Sequence, residues 1–242
     1  MTSEAPPGGL TLLDLWAGME RPGCPLCRSQ LIAEERYLWS LLHENVNDPG
    51  TRAILLEGLG FCPRHTWLLG RVEERMFHDR VGTSILLRAF LREWRRRLRE
   101  FPPATRRHRP PAPRPGERCR ACLATFEFQA LELETLVGRI DAGDERLRDE
   151  YNASDGLCLG HVAVLIEEVP ASPARSWIVD RSIRETEILE TELDEYDRKR
   201  AWTNRDEPKG REQSAWRRAS LLVAGIFTEV AAEERDVLDD GR

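Results

Sequence analysis

Aromatic residues make up only 7% of the 242-residue chain, and no apolar run approaches the ~20 residues that a membrane-spanning helix needs. The amino terminus lacks the positive start and the apolar core of a secretory signal. No nucleophile motif, phosphate-binding glycine loop or dinucleotide fingerprint occurs. These absences argue against a membrane protein and against an enzyme of those classes. We therefore expect a cytoplasmic, non-catalytic protein with no membrane partner.

The composition favours a helix-rich, folded chain, with 40% hydrophobic and 32% charged residues. Apolar residues recur at three-, four- and seven-residue intervals, for example at Leu31, Leu38 and Leu42. No convincing alternating strand pattern is present. The sequence therefore predicts an all-α fold, with long helices after Cys62 (to about Phe101) and from about Arg175 to Arg200.

Eight cysteine and histidine residues show an internal repeat. Cys24 and Cys27 recur 95 residues later, and Cys62 and His65 recur 96 residues later, as Cys119, Cys122, Cys158 and His161. This register predicts two tandem helical repeats and a C-terminal helical extension. The expected domains are residues 1–100, a Pro/Arg-rich linker over residues 101–118, and residues 119–242.

The repeated residues have the types and spacing of structural zinc ligands. Zinc prefers thiolate and imidazole in a tetrahedron, and structural sites take all four ligands from the protein. We predict two structural zinc ions, one for each half of the chain, bound by Cys24, Cys27, Cys62 and His65 and by Cys119, Cys122, Cys158 and His161. Each ion is expected to join the beginnings of two helices.

Other interpretations of these residues remain open. Six cysteines could form three disulfides, but the expected reducing compartment disfavours them. An iron–sulfur cluster is the alternative cofactor, although it usually takes four cysteines. A metal-dependent hydrolase would need an open coordination position, and both predicted sets are complete.

The remaining histidines and the paired acids are expected at the surface. His43, His78 and His108 have no partner at ligand spacing. The three Glu-Glu pairs, Glu34-Glu35, Glu73-Glu74 and Glu167-Glu168, are typical of solvated helix faces.

The motifs also resemble a family of bacterial proteins classed only as a domain of unknown function. The resemblance depends on Cys24-Pro-Leu-Cys27, Asn47-Asp48-Pro49, Gly60-Phe61-Cys62-Pro-Arg-His65, Gly156-Leu157-Cys158-Leu-Gly-His161 and Arg205-Asp206-Glu207-Pro208. It covers nearly the whole chain and implies a bacterial cytoplasmic protein with metal-binding cysteines and histidines. It implies no particular activity.

Three functions follow from these observations. The first is a zinc-stabilised scaffold that binds another protein, through the acidic Ile183–Tyr196 helix or the apolar stripe of the last helix. The second is a redox or metal sensor, because zinc-bound thiolates can be oxidised. The third is nucleic-acid binding through Arg88–Arg120. This stretch contains twelve arginines and only three glutamates, although the net charge of the whole chain is −6.

Overall fold

The computed structural model describes residues 9–101, 114, 116 and 118–226. The all-α prediction is confirmed, because the described residues form helices joined by short connections and include no strand. None of these helices is both long and apolar enough to cross a membrane. The helices are α1 (Gly9–Met19), α2 (Pro25–Ser40), α3 (Pro49–Glu57), α4 (Pro63–Phe77), α5 (Val81–Glu100), α6 (Arg120–Asp141), α7 (Glu145–Ala153), α8 (Leu159–Glu168), α9 (Pro173–Arg200) and α10 (Ala215–Ala224).

Helices α2, α3 and α4 form a series that begins at one Cys-x-x-Cys motif and ends at a Cys-x-x-His motif. A π-helical turn, Leu41–Asn45, extends α2. The side chain of Asp48 then accepts a 2.6 Å hydrogen bond from the Thr51 N–H, and Pro49 occupies the first turn of α3. An aspartate cap followed by a first-turn proline is a usual start signal of a helix.

Helices α6, α7 and α8 repeat this local geometry at the offset of the ligand residues. Asp144 caps α7 by accepting a hydrogen bond from the Leu147 N–H at 3.1 Å, as Asp48 caps α3. Gly60 and Gly156, two residues before Cys62 and Cys158, have φ angles of +88° and +74°. Glycine suits both positions because a Cβ disfavours positive φ.

The prediction of one continuous helix from Cys62 to Phe101 is wrong. The chain leaves α4 at His78, which has φ +56°, and α5 begins at Val81. The carboxylate of Glu73 on α4 accepts hydrogen bonds from the N–H groups of Gly82 and Thr83 at 2.6 and 2.7 Å. Glu73 thereby satisfies donors at the start of α5 that would otherwise lack partners.

The chain divides into two compact units that differ from the expected sequence halves. The first, unit 1, comprises the described residues of Met1–Leu31 and Phe128–Arg242, and unit 2 is Ile32–Glu127. The boundaries fall within α2 and α6, so each of these helices contributes residues to both units. The expected linker lies largely outside the described residues.

Each unit has its own apolar core. The core of unit 1 includes residues of α1, α2 and α6 to α9, among them Leu15, Leu26, Leu133, Leu165 and Ile178. The core of unit 2 includes residues of α2 to α5, among them Leu38, Leu55, Leu69, Leu86 and Phe90. The predicted C-terminal extension is helical through α9 and α10, while Phe227 and Val230 of its expected stripe lie outside the described residues.

Candidate metal centres

Four potential ligands meet in unit 1. We call Cys24, Cys27, Cys158 and His161 cluster A. His161 Nδ1 lies 3.2 Å from Cys24 Sγ, 3.5 Å from Cys27 Sγ and 3.2 Å from Cys158 Sγ. The Sγ atoms of Cys27 and Cys158 are 3.8 Å apart. All four side chains are buried.

The other four potential ligands meet in unit 2. We call Cys62, His65, Cys119 and Cys122 cluster B. His65 Nδ1 lies 3.2 Å from the Sγ atoms of both Cys62 and Cys122, and 3.4 Å from Cys119 Sγ. The Sγ atoms of Cys62 and Cys122 are 3.6 Å apart.

Both clusters have the dimensions of a tetrahedral zinc site. Zinc–sulfur bonds of about 2.3 Å and zinc–nitrogen bonds of about 2.0 Å place tetrahedral sulfurs about 3.8 Å apart, and sulfur and nitrogen about 3.5 Å apart. The ligand atoms of each cluster all lie within 4.8 Å of one another. Each cluster could therefore hold one metal ion with three thiolates and Nδ1 of one histidine.

The predicted pairing of the ligands within each half of the chain is wrong. Each cluster combines the Cys-x-x-Cys motif of one half with the Cys-x-x-His motif of the other. Helix lengths explain this exchange. The sixteen residues of α2 and the five of the π turn advance about 32 Å, whereas the nine of α3 would return only about 14 Å even if α3 ran fully antiparallel to α2. Cys62 is therefore not carried back to Cys27.

The ligands lie at the beginnings of four helices. Cys24 and Cys27 flank the first turn of α2, and Cys119 and Cys122 do the same for α6. Cys62 precedes α4 and Cys158 precedes α8, each with extended backbone angles, which places His65 and His161 in the first turns. Two helix amino termini thus face each cluster, and their partial positive charge stabilises thiolates.

In cluster A the cysteines and the histidine shift one another's pKa. Hydrogen bonds from Cys24 and Cys27 outweigh burial and lower the pKa of Cys158. Burial alone would lower the pKa of His161, but contacts with Cys158 and Cys27 raise it to about 9. Burial, followed by contact with Cys158 and Cys27, raises the pKa of Cys24 well above its usual range. A metal ion would take the place of these shared protons, so metal binding releases protons.

Cluster B shows the same pattern of pKa shifts, to which the carboxylate of Glu34 also contributes. Burial raises the pKa of Cys119, but hydrogen bonds from His65 and from the backbone of Cys62 outweigh it and bring the value to about 6. The pKa of His65 is about 10, because contacts with Cys119 and Glu34 outweigh burial. Burial and the nearby Cys119 raise the pKa of Cys122.

The buried carboxylate of Glu34 lies beside His65. Glu34 Oε1 lies 3.3 Å from His65 Nε2, and its Oε2 accepts a 2.7 Å hydrogen bond from Arg64. A carboxylate on the far nitrogen of a metal-binding histidine fixes the ring and makes it a better ligand.

We expect Glu34→Gln to weaken metal binding at cluster B by about 10- to 100-fold, the usual effect of losing such a partner. Glu35→Gln is the matched control, because Glu35 is the next residue, is partly exposed and pairs with Arg75. Competition with a zinc-binding dye measures both affinities. Equal affinities in the two variants would show that Glu34 does not support the ligand.

Gly225, just beyond α10, lies directly over cluster A. A Cβ at this position would lie 2.8 Å from Cys27 Sγ and 3.2 Å from Cys158 Sγ. Its angles, φ +70° and ψ −160°, fall in a region that is essentially restricted to glycine. The next residue, Ile226, is buried in the core of unit 1. Only glycine therefore lets the chain close over these two sulfurs.

We expect Gly225→Ala to lower metal affinity at cluster A by at least about ten-fold, because the new methyl group displaces two ligands and because alanine in this backbone region costs about 1–3 kcal/mol. Gly143→Ala is the control, because Gly143 also has positive φ, +89°, but nothing lies within 4 Å of its Cβ position. Native mass spectrometry at limiting zinc reports the loss. A similar loss in both variants would indicate a general stability effect.

The two clusters differ in exposure. The side chains of cluster A are at most 7% exposed. In cluster B, His65 and Cys119 are buried, Cys62 is partly exposed and Cys122 is exposed. Solvent molecules can therefore reach cluster B through Cys122.

Two glutamates that were predicted to be exposed are buried. Glu34 and Glu73, assigned to solvated faces, are 3% and 4% exposed, whereas Glu167 and Glu168 are exposed as expected. Glu34 falls in the same helical stripe as Leu31, Leu38 and Leu41, and an acid in an apolar stripe is the signal that could have identified it. His43 and His78 are exposed, as predicted, and His108 lies outside the described residues.

Residues 12–229 match the family of unknown function DUF6062. The chain belongs to this family. The match confirms the resemblance noted from the motifs, and it covers both clusters. No curated protein and no solved structure matches the chain.

Proposed function

We propose that this DUF6062 protein is a non-catalytic zinc protein in which two structural ions hold a helical scaffold for binding another protein. The observation that supports it is the assembly of two complete Cys₃His sets at tetrahedral distances. Four protein ligands fill each coordination sphere, which is the pattern of structural rather than catalytic zinc.

The donor set favours zinc over the alternative iron–sulfur cluster, because iron–sulfur clusters are usually held by four cysteines. The expected result is two zinc ions per chain in protein purified without added metal, measured by elemental analysis. Iron with inorganic sulfide would instead support the cluster. A chain without bound metal would contradict the proposal.

The acidic stretch of α9 from Ile183 to Tyr196 is the surface we propose for the protein partner. Between Ile183 and Tyr196 six acidic residues accompany a single arginine. Ile183 and Ile188 are 50% and 45% exposed in this setting. Exposed apolar side chains surrounded by acids fit a partner with a basic, partly apolar surface.

Affinity capture from the native host tests this surface. The double variant Ile183→Asp/Ile188→Asp is expected to lose a partner that the unmodified protein retains. The control variant Ile166→Asp changes a residue of α8 that is 46% exposed, and it is expected to retain the partner. Capture that is the same for all three proteins, or no specific capture, would contradict the use of α9.

A second candidate function, an oxidant sensor, is favoured by the exposure of Cys122. A hydroperoxide would oxidise the Cys122 thiolate to a sulfenic acid and be reduced to the alcohol or water. Cys62, whose Sγ lies 3.6 Å away, would then attack that sulfur and release water. The resulting disulfide would remove two ligands and release the ion of cluster B.

Mild peroxide separates the two candidate functions. A sensor is expected to release one zinc ion, form a Cys62–Cys122 disulfide and recover with thiol reductant. Cys122→Ser is expected to abolish the response. Both ions retained at full occupancy would exclude the sensor and leave the scaffold proposal intact.

Nucleic-acid binding through Arg88–Arg120 stays a prediction. In the described part of this region, Arg96 and Arg97 pair with Glu93 at 2.6 and 2.8 Å. Arg88 and Arg92 on α5 are exposed. Binding that fell steeply with salt concentration would support this function.

A further inference from the structure

A cavity of about 440 Å³ opens in unit 2 between the end of α2, the π turn, α3 and the start of α6. This volume is in the range of sites for small organic ligands, about 300–1,000 Å³. Its walls are formed by Tyr37, Ser40, Leu41, Asn45, Thr51, Ile54, Leu55, Arg120, Leu123 and Ala124. Neither cluster supplies a lining residue, so the cavity is not part of the metal centres.

The cavity has an apolar wall made of four aliphatic side chains. Leu41 and Leu55 are 4% and 1% exposed and also belong to the core of unit 2. Ile54 and Leu123 are 42% and 44% exposed. Large aliphatic side chains that stay exposed around a concave surface favour an apolar ligand group.

The lining also includes one positive charge and a phenol. Arg120 is the single charged residue among the ten that line the cavity, and it has no ion-pair partner within the described ranges. Tyr37, whose phenol is half-buried, lines the same cavity as Arg120. A guanidinium and a phenol hydroxyl in one cavity offer several hydrogen-bond donors, which are the groups that bind a carboxylate.

The π turn contributes two residues to the cavity lining. Leu41 and Asn45, its first and last residues, both line the cavity. Asn45 Nδ2 donates to the Ser40 carbonyl at 3.4 Å, which supports the widened turn. Single π turns within helices are frequent at functional sites, because the extra residue changes the direction of nearby side chains.

We propose that this cavity binds a small organic carboxylate with an aliphatic body. The carboxylate would pair with Arg120 and accept a hydrogen bond from Tyr37. The aliphatic body would contact Leu41, Ile54, Leu55 and Leu123. A single cation fits one negative charge, which favours a monoanion over a phosphate ester.

Calorimetric titration of the full-length, zinc-loaded protein with octanoate tests the proposal. Two comparison compounds each lack one part of octanoate. Acetate has the carboxylate without the long aliphatic chain, and 1-octanol has the chain without the carboxylate. Each is expected to bind at least about ten-fold more weakly than octanoate, because each loses one of the two contacts. Octanoate that does not bind, or that binds no better than either comparison compound, would overturn the proposal.

Variants locate the ligand in the cavity. Arg120→Met is expected to weaken octanoate binding at least about ten-fold, whereas Arg88→Met, an exposed arginine of α5 outside the cavity, should leave it unchanged. Ile54→Glu and Ile54→Lys form a second pair, remote in sequence from the cysteines. The glutamate should weaken binding and the lysine should preserve or strengthen it. Equal binding by all four variants would place octanoate elsewhere and overturn the assignment.

Discussion

We expect the double variant Cys27→Ser/Cys158→Ser to retain one zinc ion per chain, and Cys27→Ser/Cys62→Ser to retain none. Cys27 and Cys158 belong to one cluster, so removing both destroys a single site. Cys27 and Cys62 belong to different clusters, so removing both destroys two sites. Native mass spectrometry counts the bound ions directly.

If Cys27→Ser/Cys158→Ser lost both ions and Cys27→Ser/Cys62→Ser kept one, the ligands would instead be paired within each half of the chain. In that arrangement Cys27 and Cys62 would share an ion, so their double variant would keep one ion. Single variants at each position are the controls, and each is expected to lose one ion. The comparison distinguishes the two pairings even if every variant is less stable.

Removal of zinc by a strong chelator should proceed in two phases, followed by loss of helix. The first ion is expected to leave cluster B, where Cys122 is exposed, and the second to leave buried cluster A. A structural zinc ion contributes about 10–16 kcal/mol of apparent binding free energy in small peptides, against about 5–15 kcal/mol for the stability of a whole domain. Each unit should therefore unfold largely when its ion is removed.

Zinc release measured with a dye, together with far-ultraviolet circular dichroism, follows both processes. Cys122→Ser should abolish the fast phase and Cys27→Ser the slow one. Release of both ions at one rate would contradict the difference in exposure. An unchanged helical signal after complete release would show that the ions do not hold the fold.

Local signals in the sequence identified the helix from about Arg175 to Arg200 and all eight potential ligands. Asp48 and Pro49 act at a helix start through their own side chains, so their effect can be predicted without tertiary structure. The break at His78 contains neither glycine nor proline, and it depends on Glu73 accepting hydrogen bonds from the next helix. A hydrogen bond between two helices cannot be predicted from the residues of one helix alone.

The motifs alone could not predict which ligands share an ion, for a related reason. Two repeats in register supply two equivalent motifs of each kind, and every Cys-x-x-Cys can be combined with either Cys-x-x-His. Only the lengths of α2 and α3 decide between these combinations, and they must be known before the pairing can be chosen. Gly225 lies over 60 residues from Cys158 along the chain, so its role at cluster A also required the fold.

The exchanged pairing also makes the two metal centres close nested loops. Cys27 and Cys158 are 131 positions apart, and the 54 positions from His65 to Cys119 lie entirely inside that loop. When the inner ion is bound, the outer loop is effectively shortened to about 77 positions, which lowers its closure entropy cost by about 0.5 kcal/mol. A newly made chain that fills cluster B first therefore gains about a two-fold advantage in filling cluster A.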